Sequence, residues 1–344
     1  MDIVFEAIAE DRPGPKWRSV YDRHWHAYSR WFLRDGIRSR PTYLASLKSL
    51  KAHMPELLPA YEAIVEMAGG GDLEARFLSM WCPPTYVGGC SQAIVAGSTP
   101  VLIRNYDYSP QLIEGTWFAS RLNGKRVLGV VDCLWGVLDG INEDGLAVSL
   151  AFGGRTTSGK GFGIPIVLRY VLEFARTVSE AVTMLKRIPV HMAYTVALMD
   201  AKGNHATVFV SADRKAEVVG RLVTTNHQHK VEWQRHADAT RSVEREQALT
   251  AALNHNINAE AMLKAFMLPP VYQTNYGRGY GTLYTAMYYP ASASAELIWP
   301  GTRWPQSCAV FTEGSHTISF DETAEGGRAP PLKQIGRASC RERV

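Results

Sequence analysis

Apolar positions along this chain follow two rhythms that take turns. Residues 1–80, rich in Trp, Arg and His, read as helical. In 43–67, Leu44, Leu47 and Leu50, then Leu57, Leu58, Tyr61, Ile64 and Val65, recur at three- and four-residue spacing, with Pro55 placed to open a second helix. The spacing predicts a helical hairpin ended by the glycines at 69–71, with Asp72 as N-cap of a short helix reaching Met80. After Cys82, the run CPPTYVGGC breaks the helical rhythm, and short β-rich stretches predict strands at 91–95, 101–106, 117–122, 127–132 and 146–152. Turn residues separate them at Gly97-Ser98, Asn123-Gly124 and Asp144-Gly145. Helical spacing returns at 164–176 and 179–187, the second with Ser179 as N-cap. Strands are then expected at 193–199, 205–211 and 222–225, helices at 239–253 and 259–266, and strands at 282–288 and 295–299. Strands and helix pairs come in blocks, not in strict alternation. That order predicts an α+β fold of two packed sheets with helices outside. Neither an internal repeat nor a linker divides residues 90–330.

Composition bounds the function classes. Of 344 residues, 46% are hydrophobic and 20% charged, enough apolar surface for a sizeable core. The formal charge of +4, with no run of like charges in the body, gives no footprint for nucleic acid or anionic lipid. No apolar run is long enough to span a bilayer. Asp2 and Glu6 stand where a secretory signal would carry positive charge, so a cytoplasmic location is expected. Five cysteines without a CxxC predict reduced thiols. The last ten residues, 335–344, resemble a translated sequencing adapter and are set aside; they hold three arginines against one glutamate, half of the positive surplus.

Three constellations carry candidate chemistry. GRTTSGK at 154–160 nearly matches a phosphate-cradling loop, but Gly161 stands where a hydroxyl should reach Mg²⁺, and a surface connection is expected. Two HxH triplets, His24/His26 and His227/His229, have metal-ligand spacing in a strand but lack a carboxylate-bearing companion motif. A metal hydrolase using His227 and His229 is therefore the lesser rival, and no cofactor or metal is expected. The third is Tyr86-Val87-Gly88-Gly89-Cys90-Ser91-Gln92, followed by Arg104-Asn105-Tyr106-Asp107. Two glycines let the backbone bend so that a thiol at the head of a strand can approach the preceding carbonyl. Attack on the Gly89 carbonyl would form a thioester that water opens, leaving Cys90 as a new N-terminus. Its α-amine, with a reference pKa of about 7.7 to 8.0, can act as base for its own thiol. A guanidinium such as Arg104 raises the thiolate fraction. In an extended strand Arg104 and Tyr106 share one face, Asn105 and Asp107 the other. The bland alternative is a small buried cysteine beside a structural ion pair.

At these residues the sequence also resembles the autoproteolytic acyltransferases and hydrolases that include penicillin acyltransferase, N-terminal-nucleophile enzymes related to choloylglycine hydrolases. The resemblance runs through GGCSQAIV, PVLIRNYDYSP, DCLWGVLDGINEDGLAVSLAFGG, IPIVLRYVLEFA, PVHMAYTVALMD, VTTNHQ and GTLYTAMYYP, about residues 84–305. It implies a four-layer αββα catalytic unit at 90–334 and a helical leader at 1–89 that stays as a partner after cleavage between Gly89 and Cys90. It further implies Cys90 as nucleophile, Arg104 and Asp107 orienting thiol, amine and substrate, and Asn226 donating to the oxyanion. Choloylglycine hydrolases carry a second oxyanion asparagine after the GLAV strand; Ser149-Leu150-Ala151-Phe152 stands here, so a backbone N–H is expected in its place. Arg241 and Arg245 both fit the family's later arginine, and Asn105 is a further supporting candidate. Tyr272, Tyr276, Tyr280, Tyr284, Trp117 and Trp135 could line an acyl pocket, although such aromatics are more often core. The expected substrate is a small-molecule linear amide, with water or an amine or thiol as acceptor. The rival from another class is an uncleaved, inert binding or structural protein of the same fold.

Overall fold

A computed structural model describes residues 1–97, 99–254 and 258–321; the adapter-like tail lies outside them. The chain opens with strand β1 (Asp2–Ala9), followed by helices α1 (Pro15–Phe32), α2 (Tyr43–His53), α3 (Leu58–Met67) and α4 (Asp72–Leu78). Six strands come next: β2 (Gly89–Val95), β3 (Val101–Tyr108), β4 (Thr116–Ser120), β5 (Val127–Asp132), β6 (Gly136–Asn142) and β7 (Ala147–Phe152). Helices α5 (Ile164–Phe174) and α6 (Val178–Arg187) precede β8 (Tyr194–Met199), β9 (His205–Val210), β10 (Glu217–Val219) and β11 (Val223–Thr224). Helices α7 (Gln234–Thr240), α8 (Ser242–Asn254) and α9 (Ala259–Phe266) lead to β12 (Gly281–Tyr289), β13 (Ser294–Trp299), β14 (Thr302–Ser307) and β15 (Gly314–Ser319).

Among these residues the strands form two sheets. One has nine strands in the order β10-β9-β8-β7-β6-β5-β4-β1-β15, the other six in the order β11-β2-β3-β12-β13-β14. β2 and β3 lie against β7 and β8, α5 and α6 cover the larger sheet, and α8 and α9 cover the smaller one. This is the αββα layering expected. Because each inner sheet is covered on both faces, β2, β6, β7 and β8 are buried at every position and do not alternate. No described helix is long and apolar enough to cross a membrane.

Four details differ from the sequence expectation. Residues 1–80 are not helical throughout, because Asp2–Ala9 pairs parallel to β4 and antiparallel to β15. Phe5 and Ala7 turn into the core while Val4 stays 50% exposed, the two-residue period of a strand. Strands β6, β10, β14 and β15 were not expected. The helix expected at 239–253 is two helices, broken at Arg241, whose φ of 52° is left-handed. Thr177, not Ser179, caps α6 by accepting the Glu180 N–H at 3.3 Å, and Gly71, not Asp72, is the N-cap of α4.

Candidate active site

Cys90 is the second residue of β2, and register decides what surrounds it. β2 and β3 pair antiparallel, with Gly89 opposite Asp107, Cys90 opposite Tyr106 and Gln92 opposite Arg104. Cys90, Tyr106 and Arg104 therefore share one face. On it, Arg104 Nη2 donates to Cys90 Sγ at 3.1 Å. Three other groups hold the guanidinium: Nε donates to the Leu150 carbonyl at 2.9 Å, and Nη1 to Tyr284 Oη at 2.9 Å and to Asp139. Tyr284 and Tyr288 both donate to Asp139, so this buried carboxylate anchors the whole arrangement. Burial pushes the Cys90 thiol above its ordinary pKa, and the Arg104 guanidinium pulls it back down.

The main-chain atoms of Cys90 are held as firmly. Its N–H donates to Asn226 Oδ1 at 2.9 Å, and its carbonyl accepts from Arg245 Nη1 at 2.7 Å. Arg245 also reaches Ser91 Oγ at 2.8 Å, Asp107 Oδ2 at 3.1 Å and Asn226 Oδ1 at 2.6 Å. Asp107 further accepts from Thr282 Oγ1 at 2.7 Å. Burial raises the Asp107 carboxyl above the usual range, opposed by Arg245 and Thr282. Arg104, Asp107 and Arg245 are all fully buried, so these charges act with little solvent screening.

Local backbone features put Asn226 and Arg245 in reach. The left-handed residue Arg241 re-aims the chain so that Ser242 opens α8, and Ser242 Oγ accepts the Asn226 N–H at 2.9 Å. Gly154, at φ +66°, lies so close to the Asn226 carbonyl that a Cβ would sit 2.1 Å from its oxygen. Glycine is required there by both conformation and contact. Asn226 Nδ2 donates to the Phe152 carbonyl at 3.1 Å. The asparagine thus presents its oxygen, not its amide, to the Cys90 nitrogen.

Of the sequence candidates, Cys90, Arg104, Asp107, Asn226 and Arg245 converge, with Gly89 beside them. Arg241 does not: its half-exposed side chain bonds Glu244. Nor does Asn105, which faces away: it donates to the Phe266 carbonyl at 2.9 Å and accepts from its sheet neighbour Thr285 Oγ1 at 2.7 Å. His227 and His229 have separate carboxylate partners, Glu246 at 2.9 Å and Glu217 at 2.8 Å, so the two imidazoles do not join in one ligand set. In the 154–160 loop, Arg155 is engaged by Asp213 at 2.7 Å and Glu232 at 3.0 Å. The aromatic residues that could have lined a pocket take the commoner place in the core: Trp117 and Trp135 are buried, and Tyr276 Oη is bonded to the Thr282 carbonyl at 2.7 Å.

Two residues gain roles that sequence did not assign. Asp139 lies on the unexpected strand β6; the turn at Asp144-Gly145, which joins it to β7, is the signal that points to a strand there. Tyr280 packs its buried hydroxyl over Gly89, where a Cβ would stand 1.8 Å from the Tyr280 oxygen. That hydroxyl has no hydrogen-bond partner among the described residues.

Residues 95–304, more than half of the chain, match the acyl-coenzyme A:6-aminopenicillanic acid acyl-transferase family. The matched segment contains Arg104, Asp107, Asn226 and Arg245 and begins shortly after Cys90. No curated protein shows significant sequence similarity to the chain. Among solved structures, it is similar to a mutant of conjugated bile acid hydrolase from Clostridium perfringens, at 13% identity and TM-score 0.46, covering 70% of this chain and 99% of that one. Penicillin V acylase from Agrobacterium tumefaciens is similar at 15% identity and TM-score 0.45, covering 63% and 86%. The Caenorhabditis elegans ortholog of N-acylethanolamine-hydrolyzing acid amidase is similar at 18% identity and TM-score 0.46, covering 67% and 100%.

Proposed function

Since the chain belongs to the acyl-coenzyme A:6-aminopenicillanic acid acyl-transferase family, we propose that it is activated by cutting itself between Gly89 and Cys90 and then works through a thioester on Cys90. It is an enzyme of amide chemistry, an amidohydrolase or acyltransferase. The observation that carries the finer reading is the treatment of one residue: Arg104 on Sγ, Asn226 Oδ1 on the nitrogen and Arg245 on the carbonyl of Cys90.

In the precursor, Sγ attacks the Gly89 carbonyl carbon, the Cys90 nitrogen leaves with the thiol proton as a free amine, and water hydrolyses the thioester to a Gly89 carboxylate and the Cys90 thiol. In the mature enzyme that amine takes the thiol proton, the thiolate attacks the substrate carbonyl, and the proton returns to the leaving amine; water or an acceptor amine then takes the acyl group from sulfur and gives back its proton to the thiolate. Arg104 favours the thiolate. Asn226 Oδ1 accepts one N–H of the α-amine and so directs its lone pair toward sulfur. Oxyanion donation by Asn226 Nδ2 requires that amide to be drawn off the Phe152 carbonyl, where each preorganised donor is worth about 2.7 to 4 kcal/mol. Asp107 and Arg245 fix one another and, through Arg245, the Cys90 main chain.

The test is N-terminal sequencing of the purified protein after denaturing electrophoresis. A new chain beginning Cys-Ser-Gln-Ala-Ile, lost in Cys90→Ala, is expected; a single uncut chain that persists on incubation would favour the inert binding protein. A panel of linear acyl amides, assayed with and without an amine acceptor, separates hydrolase from acyltransferase.

A further inference from the structure

Beside the thiol lies a cavity of about 170 Å³, room for a group slightly larger than benzene. Its walls are aromatic: Tyr28, Trp31 and Tyr86 come from the first 89 residues, Tyr106 and Tyr108 from β3. Tyr106 is the cross-strand neighbour of Cys90, and the Arg104 guanidinium lies 4.8 Å from the centre of its ring. Cys90 itself does not line the cavity; its strand neighbour Tyr106 does.

Two carboxyl groups, Glu114 and Asp132, also line this cavity. Tyr28 Oη bridges them, donating to Glu114 Oε1 and lying 3.0 Å from Asp132 Oδ1. Glu114 is 8% exposed; Oε1 also accepts the Leu134 N–H at 2.9 Å, while the buried Oε2 has no partner among the described residues. No arginine or lysine among the described residues forms an ion pair with either carboxyl, and Arg104, whose charge acts on Asp132, is already bonded to Asp139. His24 at the rim is held toward its neutral form by burial and by Arg23. Buried acceptors without a counter-charge are costly unless something supplies one.

We propose that this cavity is the recognition pocket for an ammonium group carried by the substrate, a few bonds from the amide that Cys90 opens. The term substrate here depends on the function proposed above; the ammonium site depends only on the cavity. Aromatic faces attract a cation through their quadrupoles, and Glu114 and Asp132 place two carboxyl groups in the same lining. A plain alkyl group would gain nothing from the two carboxyls, and an anion would meet two acids. Burial and the neighbouring Asp132 push the Glu114 carboxyl up, and an incoming ammonium would pull it back down.

The test compares n-hexylammonium with hexan-1-ol by calorimetry on full-length wild type, Cys90→Ala, Glu114→Gln and Asp132→Asn. The ammonium is expected to bind wild type and Cys90→Ala about tenfold or more tighter than the alcohol, with the ratio collapsing in both acid variants. Equal or weaker binding of the ammonium, or a ratio that survives both acid variants, would overturn the pocket; the wild-type ratio decides even where a variant fails to fold. In parallel, wild type is given hexanoyl and 6-aminohexanoyl 4-nitroanilides. Ammonium binding without turnover of either anilide sinks the thiol chemistry and spares the pocket. Turnover without preference for the aminohexanoyl compound sinks the pocket and spares the chemistry.

Discussion

Replacing Gly89 by alanine tests the proposed cleavage at its most constrained atom. The backbone of Gly89 does not need glycine's conformational freedom, so the objection is purely steric: the new Cβ would lie 1.8 Å from Tyr280 Oη, 2.9 Å from its Cζ and 3.1 Å from Asp107 Cβ. Real Cβ atoms essentially never come closer than 3.0 Å, so ring and backbone must part by more than 1 Å. Overpacking of that size costs about 1–3 kcal/mol, and a 1 Å displacement of a reacting carbonyl costs about 10²-fold in rate. Gly89→Ala is therefore expected to lower Tm by several degrees and to slow the appearance of the Cys90 chain about a hundredfold, followed by electrophoresis over time. Tyr280→Ala removes the two tightest contacts. In that background Gly89→Ala should cost much less, a coupling of about 0.5–3 kcal/mol between the two positions. Wild-type cleavage rate and Tm in Gly89→Ala, or equal penalties with and without the Tyr280 ring, would refute the reasoning.

Other expectations follow from the same geometry. Arg104→Gln removes the guanidinium that favours the Cys90 thiolate, so the midpoint of iodoacetamide alkylation against pH should move to higher pH; an unmoved midpoint contradicts the contact. Asp139→Asn strips the buried counter-charge from Arg104 and should cost about 3–5 kcal/mol in urea unfolding. Arg245→Lys cannot serve the Cys90 carbonyl, Ser91, Asp107 and Asn226 together and should lower kcat by more than tenfold, whereas Arg241→Lys should leave it unchanged. Burial and Asp132 raise the Glu114 carboxyl above its ordinary value of 4.5, so the folded protein holds a proton there at pH values where the unfolded chain gives it up. Folding then takes up a proton across that window, stability falls as pH rises through it, and Glu114→Gln should flatten the slope in thermal melts.

The sequence was most legible where chemistry is local. Gly-Gly-Cys at a change of rhythm and the Arg104–Asp107 strand after it point to the region where those side chains meet, whereas Asn226 came in through the family resemblance alone. Arg245 was not separable from Arg241, because helical spacing assumes one continuous helix and the left-handed turn at Arg241 resets which face looks inward. Asp139 and Tyr280 were out of reach for another reason: their partners come from stacked and neighbouring strands far away in sequence, which periodicity does not encode. β6 hid because four of its seven residues, Gly136, Asp139, Gly140 and Asn142, are types that strands usually avoid. β1 hid in plain alternation, among residues whose composition suited a helix.

That first strand changes what a cut would mean. β1 is zipped between β4 and β15, both from the far side of Cys90, so the two pieces of a severed chain would share one sheet and one core. Before the cut, folding is an event within one molecule. After it, any full unfolding releases two chains that must find each other again, and recovery becomes second order, slowing with dilution. Self-cleavage would thus turn a refoldable precursor into an assembly whose persistence is set by how rarely it opens.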